Sequence, residues 1–349
     1  MGKLVLHIGQ MKSGTTYLQN ILSGSRGTLL ENGWLYPGKN VNHQHETYGI
    51  CGKDIFWVKN STKEKNSQIG KNLLSEIKKY RKKKNVIISS EALSSLDSNG
   101  IDNFIEIVGW PDEVVLTLRS LHRVLPSAWQ QSLKGGHDRS INEFFKLLET
   151  QRVGRVGFWK TYSFGCVVRK WAAVAPVKVI VVPDAQEDKN YLWNTFSENV
   201  GLPPSINFLP DDSKSNLSLS LETTFLLRAM IQIIKSNNKY SGHKSMLISY
   251  YLNNYVFPLS EEKRGKKILP LLEYKNILKR WSEEELALML QHGSEIIGSG
   301  QMLIDYTGGY HSLCDDILDE KIVDYNREAA YQIVSQIFWV LQQLPEDKV

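Results

Sequence analysis

Residues 4–18, LVLHIGQMKSGTTYL, have the composition of a strand, a turn and the start of a helix. The first part is largely apolar on both alternating faces, which predicts a strand that is covered on two sides. Gly14 lacks the Cβ that would keep a ligand away from the backbone, and Thr15 and Thr16 begin a helix whose first N–H groups have no intrahelical acceptor. Because the helix dipole also favours negative charge at this end, these N–H groups and Lys12 together predict a site for a phosphate-type anion.

The order of residues in this turn differs from the nucleoside triphosphate loop. In G-x-x-x-x-G-K-[ST] a lysine follows the second glycine and a hydroxyl holds Mg²⁺. Here Thr15 follows Gly14, and the lysine of the turn, Lys12, precedes the glycine. This spacing argues against a magnesium-dependent ATPase or kinase. The letters K-S-G-T-T-Y-L instead resemble the 5′-phosphosulfate loop of sulfotransferases that use 3′-phosphoadenosine 5′-phosphosulfate (PAPS).

A second region extends this resemblance. Val114 to Leu118 predicts a buried strand, Arg119 follows it, and Ser127 comes eight residues later. In PAPS-dependent sulfotransferases an arginine and a serine at this spacing hold the 3′-phosphate of the nucleotide. A guanidinium can donate two N–H groups to a phosphate, and a serine hydroxyl can donate a third hydrogen bond. The segments ISSEAL, FWK, RKWA and VIVVP then complete an order that resembles a bacterial branch of the family.

The resemblance implies transfer of a sulfuryl group from PAPS by in-line attack on sulfur, with 3′-phosphoadenosine 5′-phosphate (PAP) as product and no metal. The donor-binding residues that it implies are Lys12, Ser13, Gly14, Thr15, Thr16, Tyr17, Arg119 and Ser127. Lys12 is expected to neutralise charge on the bridging oxygen and the leaving phosphate. Ser13 stands where relatives carry a serine that restrains the lysine until acceptor is present, and Tyr17 where they often stack a tryptophan on adenine.

Deprotonation of the acceptor requires a general base, and the candidates are Glu91, His45, His43 and His122. Glu91 follows a predicted strand, Val86 to Ile88, at the end where ligands bind in open α/β sheets. It could equally be a carboxylate at a helix N-terminus. We expect Glu91 to be the base, because a carboxylate near an anionic donor can have a pKa suited to that work, with His45 second. His43 lies in the same polar loop as His45, and His122 is expected to be structural.

Strands alternate with helices through residues 1–202, which predicts an α/β fold with a P-loop-like, doubly wound parallel sheet of about four to five strands flanked by helices. This part is the expected PAPS-binding core. The first helix is expected to continue to Trp34, and residues 39–70 to be polar and irregular. A fourth strand is predicted at Val177 to Val182.

Residues 203–349 show no convincing strand, and we predict a helical C-terminal part that packs on the core and shapes the acceptor cleft. The boundary is predicted at Pro203 to Ser215, although the two parts are expected to form one continuous globular unit. Ser282 and Glu285 have the spacing of a capping box at a helix start. A further amphipathic helix is predicted from Arg327 to Gln343.

Composition narrows the classes of partner. With 42 basic and 37 acidic residues the chain has a net charge of +5, which suits a nucleotide but is too mild for nucleic-acid binding. Three widely spaced cysteines argue against a disulfide framework or a zinc site and predict a reduced, cytoplasmic setting. No apolar run is long enough for a membrane span or a signal peptide.

The acceptor is not encoded in a readable pattern, because acceptor contacts come from loops. The absence of a membrane anchor and of a dense basic surface favours a small soluble molecule, such as a natural product or sugar, although a lipid-linked glycan also stays open. A homo-oligomer is compatible with the sequence. Two other classes remain at this point: a P-loop kinase or NTPase, which would need ATP and Mg²⁺, and a non-catalytic nucleotide-binding protein of the same fold.

Overall fold

The structure, a computed structural model, describes residues 2–52, 62–183, 190–206, 219–259, 266–312 and 320–343, with backbone alone at 63 and 320–327. The strands are β1 (Leu4–His7), β2 (Trp34–Leu35), β3 (Asn85–Ser89), β4 (Glu113–Leu118), β5 (Val177–Val181) and β6 (Glu295–Ile297). The helices are α1 (Thr15–Gly24), α2 (Arg26–Glu31), α3 (Gln44–Ile50), α4 (Lys63–Tyr80), α5 (Ser98–Val108), α6 (Leu121–Lys134), α7 (Ile141–Gly154), α8 (Trp159–Tyr162), α9 (Phe164–Ala172), α10 (Tyr191–Val200), α11 (Leu221–Ser236), α12 (Asn238–Ser241), α13 (Lys244–Tyr251), α14 (Lys275–Leu290) and α15 (Glu320–Gln343).

Within the described residues, the six strands form one sheet in the order β2-β3-β1-β4-β5-β6, and every pair in it is parallel. The α/β class and the parallel sheet predicted from the sequence are confirmed. The predicted strand number is wrong, because β2 and β6 were missed. β2 has two residues and β6 has three partly exposed ones, so neither is long enough to show the alternation or the apolar run that identifies a strand.

One face of the sheet packs against α1 and α10. Val5, Ile87, Val115 and Ile180 project from four neighbouring strands on this face. The helix residues packed with them are Leu18, Ile21 and Leu22 of α1 and Leu192, Trp193, Phe196 and Val200 of α10. All of these side chains are buried, and this packing fixes the start of α1 beyond the end of β1.

The region between β1 and β3 contains more elements than predicted. Helix α1 ends at Gly24 rather than continuing to Trp34; α2 and β2 follow it. Helix α3 and the start of α4 lie within residues 39–70, which were expected to be irregular. The side chain of Thr62 caps α4 by accepting a hydrogen bond from the N–H of Lys65, so a usable N-terminal signal was present in the sequence.

The predicted capping box at Ser282 and Glu285 is wrong, because both residues lie inside α14. Glu285 is completely buried and accepts hydrogen bonds from the hydroxyl of Ser163, at 2.8 and 2.9 Å, and from the N–H of Gly165 at 2.8 Å. It also pairs with the guanidinium of Arg152. Glu285 therefore satisfies one N–H group and one hydroxyl at the start of α9 rather than N–H groups at the start of its own helix.

The chain divides into two compact units that interleave in sequence. The first comprises residues 1–121, 151–215 and 279–307 and contains the sheet; the second comprises residues 122–150, 216–278 and 308–349. In the second unit the amide of Gln130 on α6 donates to the carbonyl of Leu219 at 2.7 Å, next to α11. The predicted boundary, residues 203–215, lies largely outside the described residues, so a division after residue 202 stays a prediction.

None of the helices in the described ranges combines the length and the apolar character needed to cross a bilayer.

Candidate functional site

Strand order places several predicted site residues at one edge of the sheet. After β1 the chain forms β2 and β3 on one side of β1, and it then crosses to β4, β5 and β6 on the other. Ligands of open α/β sheets bind beyond the carboxyl ends of the strands where this change of direction occurs. The turn of residues 8–14, here called the Lys12 turn, follows β1, Glu91 follows β3 and Arg119 follows β4.

The Lys12 turn is held against β4 by its backbone and by one buried hydroxyl. The N–H of Ile8 donates to the carbonyl of Val115, and that of Gln10 donates to the carbonyl of Thr117, both at 2.9 Å. The hydroxyl of Ser13 donates to the carbonyl of Gln10 at 2.5 Å and contacts Oγ1 of Thr117 at 2.8 Å. Ser13 is completely buried, and these two contacts of its hydroxyl fix the turn to the sheet. The predicted restraint of Lys12 by Ser13 stays a prediction.

Two residues of the turn have a positive φ. Lys12 has φ 71° and Gly14, which precedes α1, has φ 85°. A non-glycine residue in this region costs about 1–2 kcal/mol, and such strain is concentrated at functional sites. At Gly14 a Cβ would also stand 2.4 Å from Cδ2 of Leu192, so a side chain here would have to displace Leu192. Gly14 is the N-cap of α1 and has no side chain to cap the helix, which leaves the first N–H groups to other partners, such as an anion or solvent.

The electrostatics of Lys12 reflect its position inside this turn. Burial lowers the pKa of Lys12, and the nearby carboxylate of Glu91 acts in the opposite direction. A lysine that is partly removed from water gains more from an incoming anion than an exposed lysine does, because less solvent screens the interaction. Within the described residues there is no group of three or more side chains suited to hold a metal ion.

Glu91 is bound to the first turns of α1 through both carboxylate oxygens. Oε1 accepts a hydrogen bond from the hydroxyl of Thr15 at 2.5 Å, and Oε2 accepts one from the amide of Gln19 at 3.1 Å. Thr15 and Gln19 are four residues apart and so share one face of the helix. The hydroxyl proton of Thr15 is used in this contact, so Thr15 offers an anion its backbone N–H.

Arg119 lies beside the Lys12 turn. Its backbone N–H donates to Oε1 of Gln10 at 3.4 Å, although the two residues are 109 positions apart. Gln10 is almost fully buried, and its Nε2 has no hydrogen-bond partner among the described residues. Ser127, the predicted companion of Arg119, lies on α6 in the second unit, so their joint grip on one phosphate stays a prediction.

Thr16 and Tyr17 lie in the first turn of α1, and both are partly buried. The ring of Tyr17 packs at the margin of the core cluster, and its hydroxyl donates to Oδ1 of Asn190 at 3.4 Å. Asn190 immediately precedes α10, the helix whose Leu192 closes over Gly14. The aromatic side chain is therefore fixed next to the turn, where the resemblance expects adenine to stack.

The three histidines differ in their suitability as a base. His43 is fully buried: Nδ1 accepts from the N–H of Ser89 at 2.9 Å, so Nε2 carries the proton and donates to the carbonyl of Pro37 at 2.7 Å. Burial lowers the pKa of His43 to about 4. Both nitrogens thus serve the fold. His45 is partly buried on α3. His122 belongs to the second unit, where burial lowers its pKa to about 4.

Sequence reasoning missed a set of buried polar residues beneath the Lys12 turn. They are His7, Gln10, Gln19, Ser89 and Thr117, each of which is at most 1% exposed. Two signals were available: a histidine interrupts the apolar residues of β1, and Gln19 lies one helical turn after Thr15. Their mutual contacts depend on strand order and register, which the sequence alone does not state.

Comparisons of the chain with protein-family models, with curated proteins and with solved structures find no match.

Proposed function

We propose that this protein is a PAPS-dependent sulfotransferase with a P-loop-like nucleotide site, which transfers a sulfuryl group to a hydroxyl or amine of a small molecule such as a natural product or sugar and releases PAP. The observation that carries the proposal is the hydrogen bond from the backbone N–H of Arg119 to Oε1 of Gln10. It joins Arg119 to the Lys12 turn, which is far away in sequence, at adjoining strand ends.

The donor end of the proposed site consists of the Lys12 turn and the start of α1. The N–H groups of Gly14, Thr15 and Thr16 would bind the 5′-phosphate, as helix N-termini bind phosphates generally. Arg119 would bind the 3′-phosphate with two parallel N–H donors, and Ser127 would add a hydroxyl. No metal is required, because these groups supply the positive charge.

In the proposed reaction the acceptor oxygen or nitrogen attacks sulfur in line with the bond to the bridging oxygen. That sulfur–oxygen bond breaks, its electron pair leaves with the 5′-phosphate of PAP, and Lys12 stabilises the developing negative charge. The acceptor proton passes to Glu91. Thr15 and Gln19 occupy one lone-pair position on each oxygen of that carboxylate, so the positions that remain can accept the proton while the hydrogen bonds fix its direction.

The test of this proposal begins with isothermal titration of the protein with PAP and, separately, with ATP and Mg²⁺. We expect binding of PAP without metal, and a loss of about tenfold or more in Lys12→Met, since a charged hydrogen bond to phosphate is worth about 1.5–3 kcal/mol. Lys82→Met, at an exposed lysine after α4, removes the same charge elsewhere and should bind PAP as the wild type does.

Turnover is tested by incubating the protein with labelled PAPS and a metabolite extract, followed by mass spectrometry of labelled products. A sulfated small molecule that disappears in Lys12→Met supports the proposal. Binding of PAP without any transfer supports a non-catalytic nucleotide-binding protein. Binding of ATP with Mg²⁺ in preference to PAP overturns the proposal in favour of a kinase or NTPase.

A further inference from the structure

Buried hydrogen bonds beneath the Lys12 turn have a single consistent direction. The hydroxyl of Ser13 donates its only proton to the carbonyl of Gln10, so in the contact of 2.8 Å between Ser13 and Thr117 the donor must be Thr117. The proton of Thr117 is then used. In the contact of 3.3 Å between Thr117 and His7, Nε2 of His7 must therefore donate.

The other ring nitrogen continues the same chain toward Glu91. Burial lowers the pKa of His7 to about 3, so the ring is neutral and carries one proton, on Nε2. Nδ1 then accepts from the hydroxyl of Ser89 at 2.8 Å. Ser89 in turn accepts from the amide of Gln19 at 3.1 Å, and the second proton of that amide goes to Oε2 of Glu91.

The residues of this chain are closely packed. A Cβ on Gly9 would stand 2.4 Å from Oγ1 of Thr117 and 2.9 Å from Nε2 of His7, so this position next to their contact admits no side chain. The ring also contacts Phe196 edge to face, with the ring centroids 5.0 Å apart. His7, Ser89 and Thr117 come from three neighbouring strands, β1, β3 and β4, and all are buried.

We propose that His7 is a positioning residue, which holds the Lys12 turn on β4 through Nε2 and Thr117 and holds Glu91 on β3 through Nδ1, Ser89 and Gln19. The inference rests on the proposed function for its consequence: one ring sets the distance between the group that stabilises the leaving phosphate and the group that accepts the acceptor proton. His7 itself touches neither substrate.

Two substitutions of His7 test the contacts of its two ring nitrogens separately. The amide of asparagine lies near the position of Nδ1, and that of glutamine near the position of Nε2. His7→Gln keeps a donor for Thr117, so PAP affinity should stay within about threefold while kcat falls about tenfold, the effect of one buried hydrogen bond. His7→Asn keeps the partner of Ser89 but loses Thr117, so PAP affinity should fall about tenfold. Equal losses of PAP affinity in both variants would overturn the inference.

Thr117 supplies a matched pair of variants. Thr117→Val keeps the side-chain shape but removes the hydroxyl, and should lower PAP affinity about tenfold. Thr117→Ser keeps the hydroxyl and loses a methyl group, and should bind PAP like the wild type even where it lowers the melting temperature. If the position were merely structural, PAP affinity would follow stability, and Thr117→Ser would bind PAP more weakly than Thr117→Val does. That result would overturn the inference.

A spectroscopic readout separates this inference from the proposed function. Long-range proton–nitrogen correlation NMR of the wild type should show His7 as the neutral Nε2–H tautomer, with its signals assigned by their loss in His7→Gln. An Nδ1–H tautomer would overturn the positioning chain whether or not PAP binds. An Nε2–H tautomer that is disturbed in Thr117→Val, in a protein that fails to bind PAP, supports the chain and rejects the sulfotransferase proposal.

Discussion

Oγ1 of Thr15 donates a hydrogen bond of 2.5 Å to Oε1 of Glu91, a residue 76 positions further along the chain. The contact ties the first turn of α1 to the residue that follows β3. It also places a carboxylate at the positive end of a helix dipole, close enough to Lys12 to act on the pKa of that lysine. The proposed anion site and the proposed proton acceptor thus meet at the first turn of one helix.

Glu91→Gln is expected to abolish sulfuryl transfer and to leave PAP affinity equal to or higher than that of the wild type. The amide oxygen still accepts from Thr15, but the residue can no longer take a proton, and a negative charge near the bound anion is removed. Single-turnover transfer assays and titration calorimetry measure the two quantities. Glu106→Gln, at an exposed carboxylate on α5, is the control for charge alone. Retained turnover in Glu91→Gln would transfer the role of base to another residue, with His45 next.

The affinity for PAP should decrease as the pH rises through the pKa of Lys12, which lies below that of an exposed lysine. Burial lowers the pKa of Lys12, so its ammonium loses its proton at a lower pH than an exposed lysine does. The charged form binds the anion, so affinity is complete below the pKa of Lys12 and is lost as the pH rises through it. Phosphates have a second pKa of about 6, so they do not titrate in the window above that value.

Lys12→Arg is the matched variant for this pH dependence, because a guanidinium stays charged throughout that window. Titrations at increasing pH should give a decreasing affinity for the wild type and a constant one for the arginine variant. Parallel decreases in the two proteins would show that a different group controls the dependence.

Gly14→Ala should lose PAP binding and destabilise the protein by more than backbone strain explains. The new Cβ meets both a positive φ of 85° and Cδ2 of Leu192 at 2.4 Å. Gly33 provides the control: its φ is 89°, but nothing lies within 4 Å of its ideal Cβ position. Gly33→Ala should therefore cost only about 1–2 kcal/mol of unfolding free energy.

Chemical denaturation measures the free energy of unfolding that each alanine variant loses. The loss in Gly14→Ala minus the loss in Gly33→Ala is the cost of the clash with Leu192. Trimming the neighbour in the double variant Gly14→Ala, Leu192→Ala should recover part of that difference relative to Leu192→Ala alone. Equal losses in Gly14→Ala and Gly33→Ala would mean that Leu192 moves away freely and does not define the turn.

The parts of the site that are local in sequence could be predicted. Lys12 and Gly14 lie in one turn, and Glu91 and Arg119 directly follow strands whose apolar residues identify them, so parallel strand ends were enough to expect them at one edge. The contacts of His7 with Ser89 and Thr117 could not be predicted, because they require the order β3-β1-β4 and its register. A buried histidine in a strand is by itself ambiguous.

The same distinction explains the errors in the fold. β6 has three residues and is defined by its pairing with β5, a partner more than a hundred residues earlier in the chain. Glu285 has the local spacing of a capping box, but its hydrogen-bond partners are Ser163 and Gly165, at least 120 positions away. Local patterns identify the residue types that can satisfy a helix end, and tertiary packing decides which helix end that is.

Glu285→Gln should be among the most destabilising single substitutions in the first unit. The buried carboxylate accepts from the hydroxyl of Ser163 and the N–H of Gly165 and pairs with Arg152, whose guanidinium carbon stands 4.4 Å from the ring centroid of Trp159. Loss of its charge leaves a mostly buried guanidinium without its closest partner, a change that costs about 3–5 kcal/mol in buried pairs.

The adjacent residue is the matched control for that prediction. Glu284 also pairs with Arg152, at 2.9 Å, but its side chain is 48% exposed. An exposed ion pair contributes about 0–1 kcal/mol, so Glu284→Gln should hardly change the free energy of unfolding measured in urea. If the two variants lost the same free energy of unfolding, Glu285 would contribute no more than an exposed ion pair does. A large loss confined to Glu285→Gln would instead mean that one carboxylate joins α14 to α7 and to the start of α9, although its partners lie at least 120 positions earlier in the chain.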